Sequence, residues 1–306
     1  MMELPPMKFT LLSSAMLLLA VAGPATAGTP INESRKASAD ARIDVSNIKG
    51  EVTVSGWDKA EVSISGSLGD GAKSLSVEGG ADHLVIKVQP PDKQSWFSWG
   101  AESRMGDTVL DLKVPRNAEM KIEVVSADVA LSGVAGRSLN VTSVSGKLRL
   151  DTEAKEVEVD SVSGNIDLSG KAERGHLETV SGNVRARGLA GQIKFETVSG
   201  DVDAENGDYR EINAGTVSGN INLRGKPTKD ARVEVETMSG DVHLYLPSDV
   251  SAHLRATTFS GSIRSDFGKV KDEDHGPGSS LDATAGEGDS RVNLQTFSGD
   301  IEVRRQ

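Results

Sequence analysis

The 306-residue chain contains no cysteine. That absence excludes disulfides, thiol chemistry, cysteine-based metal sites and a lipidated N-terminal cysteine. Aromatic side chains are scarce, with three Trp, two Tyr and six Phe, fewer than a thick mixed core normally takes. Positive charge is in deficit, since 34 Lys and Arg face 45 Asp and Glu for a formal charge of −11. A chain this acidic repels phosphate backbones, so no nucleic acid is expected as a partner. No later apolar run approaches the roughly 20 residues of a membrane-spanning helix, so no transmembrane segment is expected in the mature chain. No segment carries helical periodicity. Glycine, by contrast, is abundant at 33 residues, and the composition leans toward many small β units.

What is present begins with an address. Lys8 precedes the apolar stretch Phe9–Ala22, followed by Pro24 and the triplet Ala25-Thr26-Ala27. A basic start, an apolar run of about 14 residues and an A-x-A site predict a secretory signal peptide over 1–27, cleaved after Ala27. A start at Met7 gives the same signal. The mature chain is expected in the periplasm, outside the cell or on its surface.

A repeat then dominates. The tetrads Ser143-Val-Ser-Gly146, Ser161-Val-Ser-Gly164, Thr179-Val-Ser-Gly182, Thr197-Val-Ser-Gly200 and Thr216-Val-Ser-Gly219 recur almost unchanged. Thr237-Met-Ser-Gly240, Thr258-Phe-Ser-Gly261 and Thr296-Phe-Ser-Gly299 continue them. Successive glycines lie 18, 18, 18, 19, 21, 21 and 38 residues apart, and 38 reads as a doubled period of 19. Apolar residues sit seven and five positions before each glycine and two and four after it, as at Leu139, Val141, Leu148 and Leu150. Spacing of two on either side of a Ser-Gly pair means two short strands, each with one buried face. Gly supplies backbone freedom at the corner, and Ser can bond locally to the turn.

A rung of 18–21 residues cannot bury its face alone, whereas rungs stacked about 4.8 Å apart can. The expected fold is an all-β parallel β-solenoid. Degenerate copies extend it upstream, with Met120, Ile122, Val129 and Leu131 around Ser126-Ala127, and Ile43, Val45, Val52 and Val54 around Lys49-Gly50. Residues 57–116 leave the period. There Leu75–Val77 and Leu84–Val88 read as a hairpin around Gly79-Gly80, and Val109–Val114 as a strand ended by Pro115. The expected division is an irregular N-terminal β cap over 28–116 and a repeat solenoid over 117–306, with loop insertions at 89–107 and 266–290.

Over about 40–303 the chain resembles a bacterial β-strand-repeat family of unknown function labelled "putative adhesin". The likeness rests on the Thr-Val-Ser-Gly-[Asp/Asn] repeats, on Asp111-Leu-Lys-Val-Pro115, and on Gly286-Glu-Gly288 followed by Arg291-Val-Asn-Leu-Gln-Thr-Phe-Ser-Gly-Asp300. The resemblance implies a right-handed parallel β-helix on an exported or envelope protein, and it brings no catalytic residues.

The residues themselves favour binding over catalysis. A nucleophilic Ser needs a base and an oxyanion hole at one place, while equivalent Ser-Gly corners are structure. The five histidines (His83, His176, His243, His253, His275) lack metal-ligand spacing, so neither cofactor nor metal is expected. The column after each glycine, rich in Asn and Asp, suits turns. Arg149, Asp167, Arg185 and Asp203 alternate in sign on stacked strands, which fixes register. Four positions before the glycine stand Asp160, Glu178 and Glu196, like charges on adjacent rungs. They call for compensation by His176 and Lys194, or for a cation or cationic ligand. The loop 89–107 carries Trp96, Phe97 and Trp99, either a plug on the solenoid end or a contact for a partner. The two candidate surfaces are therefore Asp160, Glu178 and Glu196, and Trp96, Phe97 and Trp99. The function expected is a non-catalytic, adhesin-like surface contacting an envelope protein or glycan. A polysaccharide-active β-helix enzyme and a purely structural spacer are the alternatives.

Overall fold

The computed structural model describes residues 28–91, 105–272 and 278–306. They form 23 strands, with no helix among the described residues. Two parallel ladders run along the molecule. In the first, Ser138–Ser145 lies between the start of Glu119–Val134 and Glu156–Ser163, and Arg174–Ser181 and Ala190–Ser199 follow. In the second, Leu148–Thr152, Ile166–Gly170 and Val184–Arg187 stack in the same order. Inward positions stay aligned from rung to rung, as in the column Val141, Val159, Leu177, Phe195, Ala214 and Val235. The inward residues of both ladders form one buried cluster. Each such Leu or Val contributes roughly 1.5–3 kcal/mol on burial, so a narrow aliphatic core suffices without many aromatics.

Three inter-rung contacts explain the tetrad. A Cβ at Gly182 would overlap the carbonyl oxygen of Gly164, and one at Gly200 that of Gly182. Only Gly146 among the tetrad glycines has a left-handed backbone, φ 135°. Close approach of stacked backbones, more than turn conformation, thus demands glycine. The first residue of each tetrad points inward. The hydroxyls of Ser143, Ser161, Thr197, Thr216 and Thr237 are buried with no partner, whereas at the C-terminal end the hydroxyl reaches the corner carbonyl of the neighbouring rung. Thr258 Oγ1 donates to Gly299 O at 2.9 Å, and Thr296 Oγ1 to Gly240 O at 3.2 Å. After the glycine comes an amide–carboxylate ladder. Asn165 Oδ1 accepts the Asn183 N–H, Asn183 Oδ1 that of Asp201, Asp201 Oδ1 that of Asn220, and Asn220 Oδ1 that of Asp241, all at 2.8–3.0 Å. Lys147 interrupts it, having no oxygen to offer Asn165.

The upstream copies join the stack. Ile43 pairs with Met120, Val45 with Ile122, Val52 with Val129 and Val54 with Leu131. Beyond them Ser74–Gly80 and His83–Gln89 form the hairpin, with Thr108–Pro115 as the separate strand. The change of period to 21 has a local cause. Pairing moves from Tyr209↔Pro227 to Glu211↔Arg232, so three extra residues are taken up at the turn opposite the glycine corner.

Chain order and spatial order part company at the C-terminal end, which corrects the reading of 38 as a doubled period. Ser290–Ser298 pairs with Arg232–Ser239 of the long strand Ile221–Ser239 on one side and with Ala252–Ser260 on the other. The last rung is therefore inserted ahead of its predecessor, and corners stack as Gly240, Gly299, Gly261. The amide–carboxylate ladder follows this order, since Asp241 Oδ1 accepts from Asp300 and Asp300 Oδ1 from Ser262. The segment 266–290 supplies the return. Within it Ser279–Ala285 runs antiparallel to Ala252–Ser260, with Val270–Asp272 beyond. The Glu287–Asp289 turn is tied down by N–H groups of both residues donating to Ser251 Oγ at 3.0 and 3.2 Å.

Candidate functional site

Strand alternation presents three columns on the outer face of the first ladder. The middle one contains Asp160, Glu178 and Glu196, directly paired across adjacent strands. Their surroundings differ. Lys194 Nζ lies 2.7 Å from Glu196 Oε2, and His176 Nε2 lies 3.2 Å from the same oxygen. The Lys194 hydrogen bond, helped by His176 against partial burial, holds the Glu196 carboxyl below its ordinary range. Asp160 is pushed the other way, first by partial burial and then by the Glu158 charge, with His176 only partly opposing. Compensation thus reaches Glu196 and largely misses Asp160.

His176, Glu178 and Glu196 offer donor atoms all within 4.8 Å of one another. A divalent cation there would have to displace Lys194 from Glu196, and His176 already spans the two carboxylates, 3.9 Å from Glu178. The geometry is that of an ion-pair cluster. Beside it runs an open groove of about 650 Å³ whose lining includes Glu156, Arg174, His176, Gln192, Lys194 and Glu211. Its lining carries both signs, as in the Arg174–Glu156 ion pair. On the second ladder Arg185 lies 3.7 Å from Asp167 and 3.8 Å from Asp203, the expected charge alternation. Trp96, Phe97 and Trp99 lie outside the described residues.

The third column is one the sequence reading passed over. It is the second residue of each tetrad. In spatial order it reads Val125, Val144, Val162, Val180, Val198, Val217, Met238, Phe297 and Phe259, and every member is exposed. Val198 is 50% exposed, Met238 61% and both phenylalanines 57%. The rings of Phe259 and Phe297 stack with centroids 4.9 Å apart, on directly paired strands. Scattered exposed apolar residues need no explanation, but an unbroken row does. The signal was available in the sequence: alternation that buries Val141 and Ser143 must turn Val144 outward.

Among solved structures, the chain is similar to a protein of Parabacteroides merdae described as a "putative adhesin". The two share 10% identity and a TM-score of 0.51, with 91% of this chain and 97% of that one covered. A Bacteroides fragilis protein of the same description shares 12% identity over 92% of this chain and 98% of that one, at a TM-score of 0.45. The first likeness shows a shared fold. No curated protein matches the chain. Among the described residues no helix is long and apolar enough to cross a membrane. The model of the Toastrack DUF4097 family matches residues 40–304, and the chain belongs to that family.

Proposed function

We propose that the protein is an exported, non-catalytic right-handed β-helix of 18–21-residue rungs that presents a repetitive, adhesin-like surface to the cell envelope. In this reading residues 1–27 direct export, 28–116 cap the stack and 117–306 form its body. The observation that carries it is the in-register outer face of the first ladder. Three columns run there with one side chain per rung, about 4.8 Å apart, on a backbone fixed by parallel pairing, and the apolar one repeats the same chemistry at every rung. Such a face offers many weak, equivalent contacts, whose sum gives avidity without a deep pocket. The partner is an envelope protein or a glycan. The adhesin description of the Parabacteroides merdae protein agrees with a role of this kind.

The test is sedimentation of the purified protein with isolated envelopes, alongside incubation with acidic polysaccharides and an assay for new reducing ends. Saturable envelope binding with no new ends is expected. Release of reducing ends would replace this reading with an enzymatic one, and absence of envelope binding would leave only a spacer.

A further inference from the structure

The exposed apolar stripe from Val125 to Phe259 is not required for the core, since the inward columns already supply it. We propose that this stripe, flanked by carboxylates, is the docking line for an amphipathic helix of a partner protein whose apolar face is bordered by Lys and Arg. The proposal rests on the surface-interaction reading above and specifies its partner.

Three features select that occupant. The first is spacing. Nine side chains at about 4.8 Å per rung make a row of about 38 Å. A helix advances about 1.5 Å per residue, so its apolar stripe repeats about every 5.3 Å, close to the ladder step. An extended strand repeats the same face only about every 6.8 Å. The length corresponds to a helix of about 25 residues.

The second feature is charge. The column on one side of the stripe holds Asp160, Glu178, Glu196 and Glu236, and the corner column on the other holds Asp201, Asp241 and Asp300. Lys147 is the one cation in those two columns. A cationic border on the partner is complementary. A second copy of this chain would set carboxylates against carboxylates, and an anionic bilayer would be repelled. The third feature is the anchor. Side chains grow from Val to Met238 and then to the stacked Phe297 and Phe259 at one end, the kind of aromatic cluster that dominates binding energy at interfaces.

The test uses two labelled 25-residue designed helices of identical apolar pattern, one Leu/Lys and one Leu/Glu, titrated with the purified protein by fluorescence anisotropy. The Leu/Lys helix is expected to bind about ten-fold or more tightly than the Leu/Glu helix. Val180→Thr with Val198→Thr, and separately Phe259→Ser with Phe297→Ser, should each weaken it several-fold. Should the Phe pair destabilise the terminal rung, the Thr pair still decides, because Thr keeps strand propensity at an exposed site. Glu178→Gln with Glu236→Gln should reduce the salt dependence of binding. Equal binding of both helices, or binding unchanged by the Thr pair, overturns the proposal. So does flotation of the protein with phosphatidylglycerol vesicles in preference to helix binding, or a dimer that the Phe substitutions dissolve. If the Thr pair keeps full envelope binding while helix binding is lost or was never present, the inference falls and the broader surface reading stands.

Discussion

One methyl group added at two different glycines should have opposite effects. At Gly182 a new Cβ would overlap the carbonyl of Gly164, whose own position is fixed by the rung behind it. Neither backbone can yield without lengthening the ladder bonds on both sides, so Gly182→Ala belongs with severe overpacking, about 3 kcal/mol or more. Gly215 occupies the carboxylate column within the strand Val202–Ser218, with no left-handed φ and no atom within 4 Å of the point where a Cβ would stand. There the same methyl removes only unfolded-state freedom, so Gly215→Ala should stabilise by about 0.4–1 kcal/mol. For a chain of this size about 1 kcal/mol corresponds to about 2–4 °C. Calorimetry should show Gly182→Ala melting about 6–12 °C lower and Gly215→Ala melting about 1–3 °C higher. Equal shifts in the two variants would refute the argument that close backbone approach, and not strand propensity, selects the corner glycines.

Other outcomes follow from the same geometry. Lys147→Asn should restore an acceptor for the Asn165 N–H, complete the amide–carboxylate ladder and stabilise by about 0.5–1 kcal/mol; denaturant unfolding measures it, and no gain would deny the ladder an energetic role. Asp160→Asn should stabilise at neutral pH by a few tenths of a kcal/mol, a small figure because solvent screens the Glu158 repulsion, and the gain should vanish in acid, where Asp160 is protonated in both states. Glu196, Glu302 and Asp300 are held below their ordinary values, by the Lys194 hydrogen bond, the Arg304 hydrogen bond and the Ser262 backbone N–H respectively. Their folded-state pKa values lie below the unfolded ones, so this stabilisation is full above about pH 4.5 and is lost as pH falls through the lowered values. Unfolding free energy measured from about pH 6 to about pH 3 should decline in that window, and a flat profile would contradict the assignment.

Much of this architecture is legible in the residues. Period-two alternation around each Ser-Gly pair placed Leu139, Val141, Leu148 and Leu150 inside, and stacking followed from a rung too small to stand alone. The reason for glycine was only half visible, because carbonyl-to-Cα proximity between rungs leaves no mark that distinguishes it from a turn requirement. The spatial insertion of the last rung was hidden for a different reason. Parallel pairing is set by matching columns, and Thr296-Phe-Ser-Gly299 matches its neighbours equally well on either side of Thr258-Phe-Ser-Gly261. One trace does exist: Ser262 departs from the Asn/Asp column, and among the described residues its rung is the last of the ladder, its N–H donating to Asp300 Oδ1. At the site, the column Asp160, Glu178 and Glu196 was found from spacing, with the Lys194 and His176 contacts to Glu196. The apolar stripe is harder to see, because each Val sits inside a recurring Ser-Gly tetrad whose motif draws attention from the face on which alternation places it.

Strand pairing at the C-terminal end places Phe297 between Met238 and Phe259, and because the chain has no native cysteine this order can be tested directly by disulfide formation. Ser239 and Ser298 are direct partners on adjacent strands, whereas Ser239 and Ser260 are separated by the inserted rung. Two rung steps, about 9.6 Å, exceed the Cα separation a disulfide spans. The Ser239→Cys, Ser298→Cys variant should oxidise readily to an intramolecular disulfide, and the Ser239→Cys, Ser260→Cys variant should stay reduced under the same conditions. The reverse pattern would place the rungs in chain order and contradict the insertion of the last rung ahead of its predecessor.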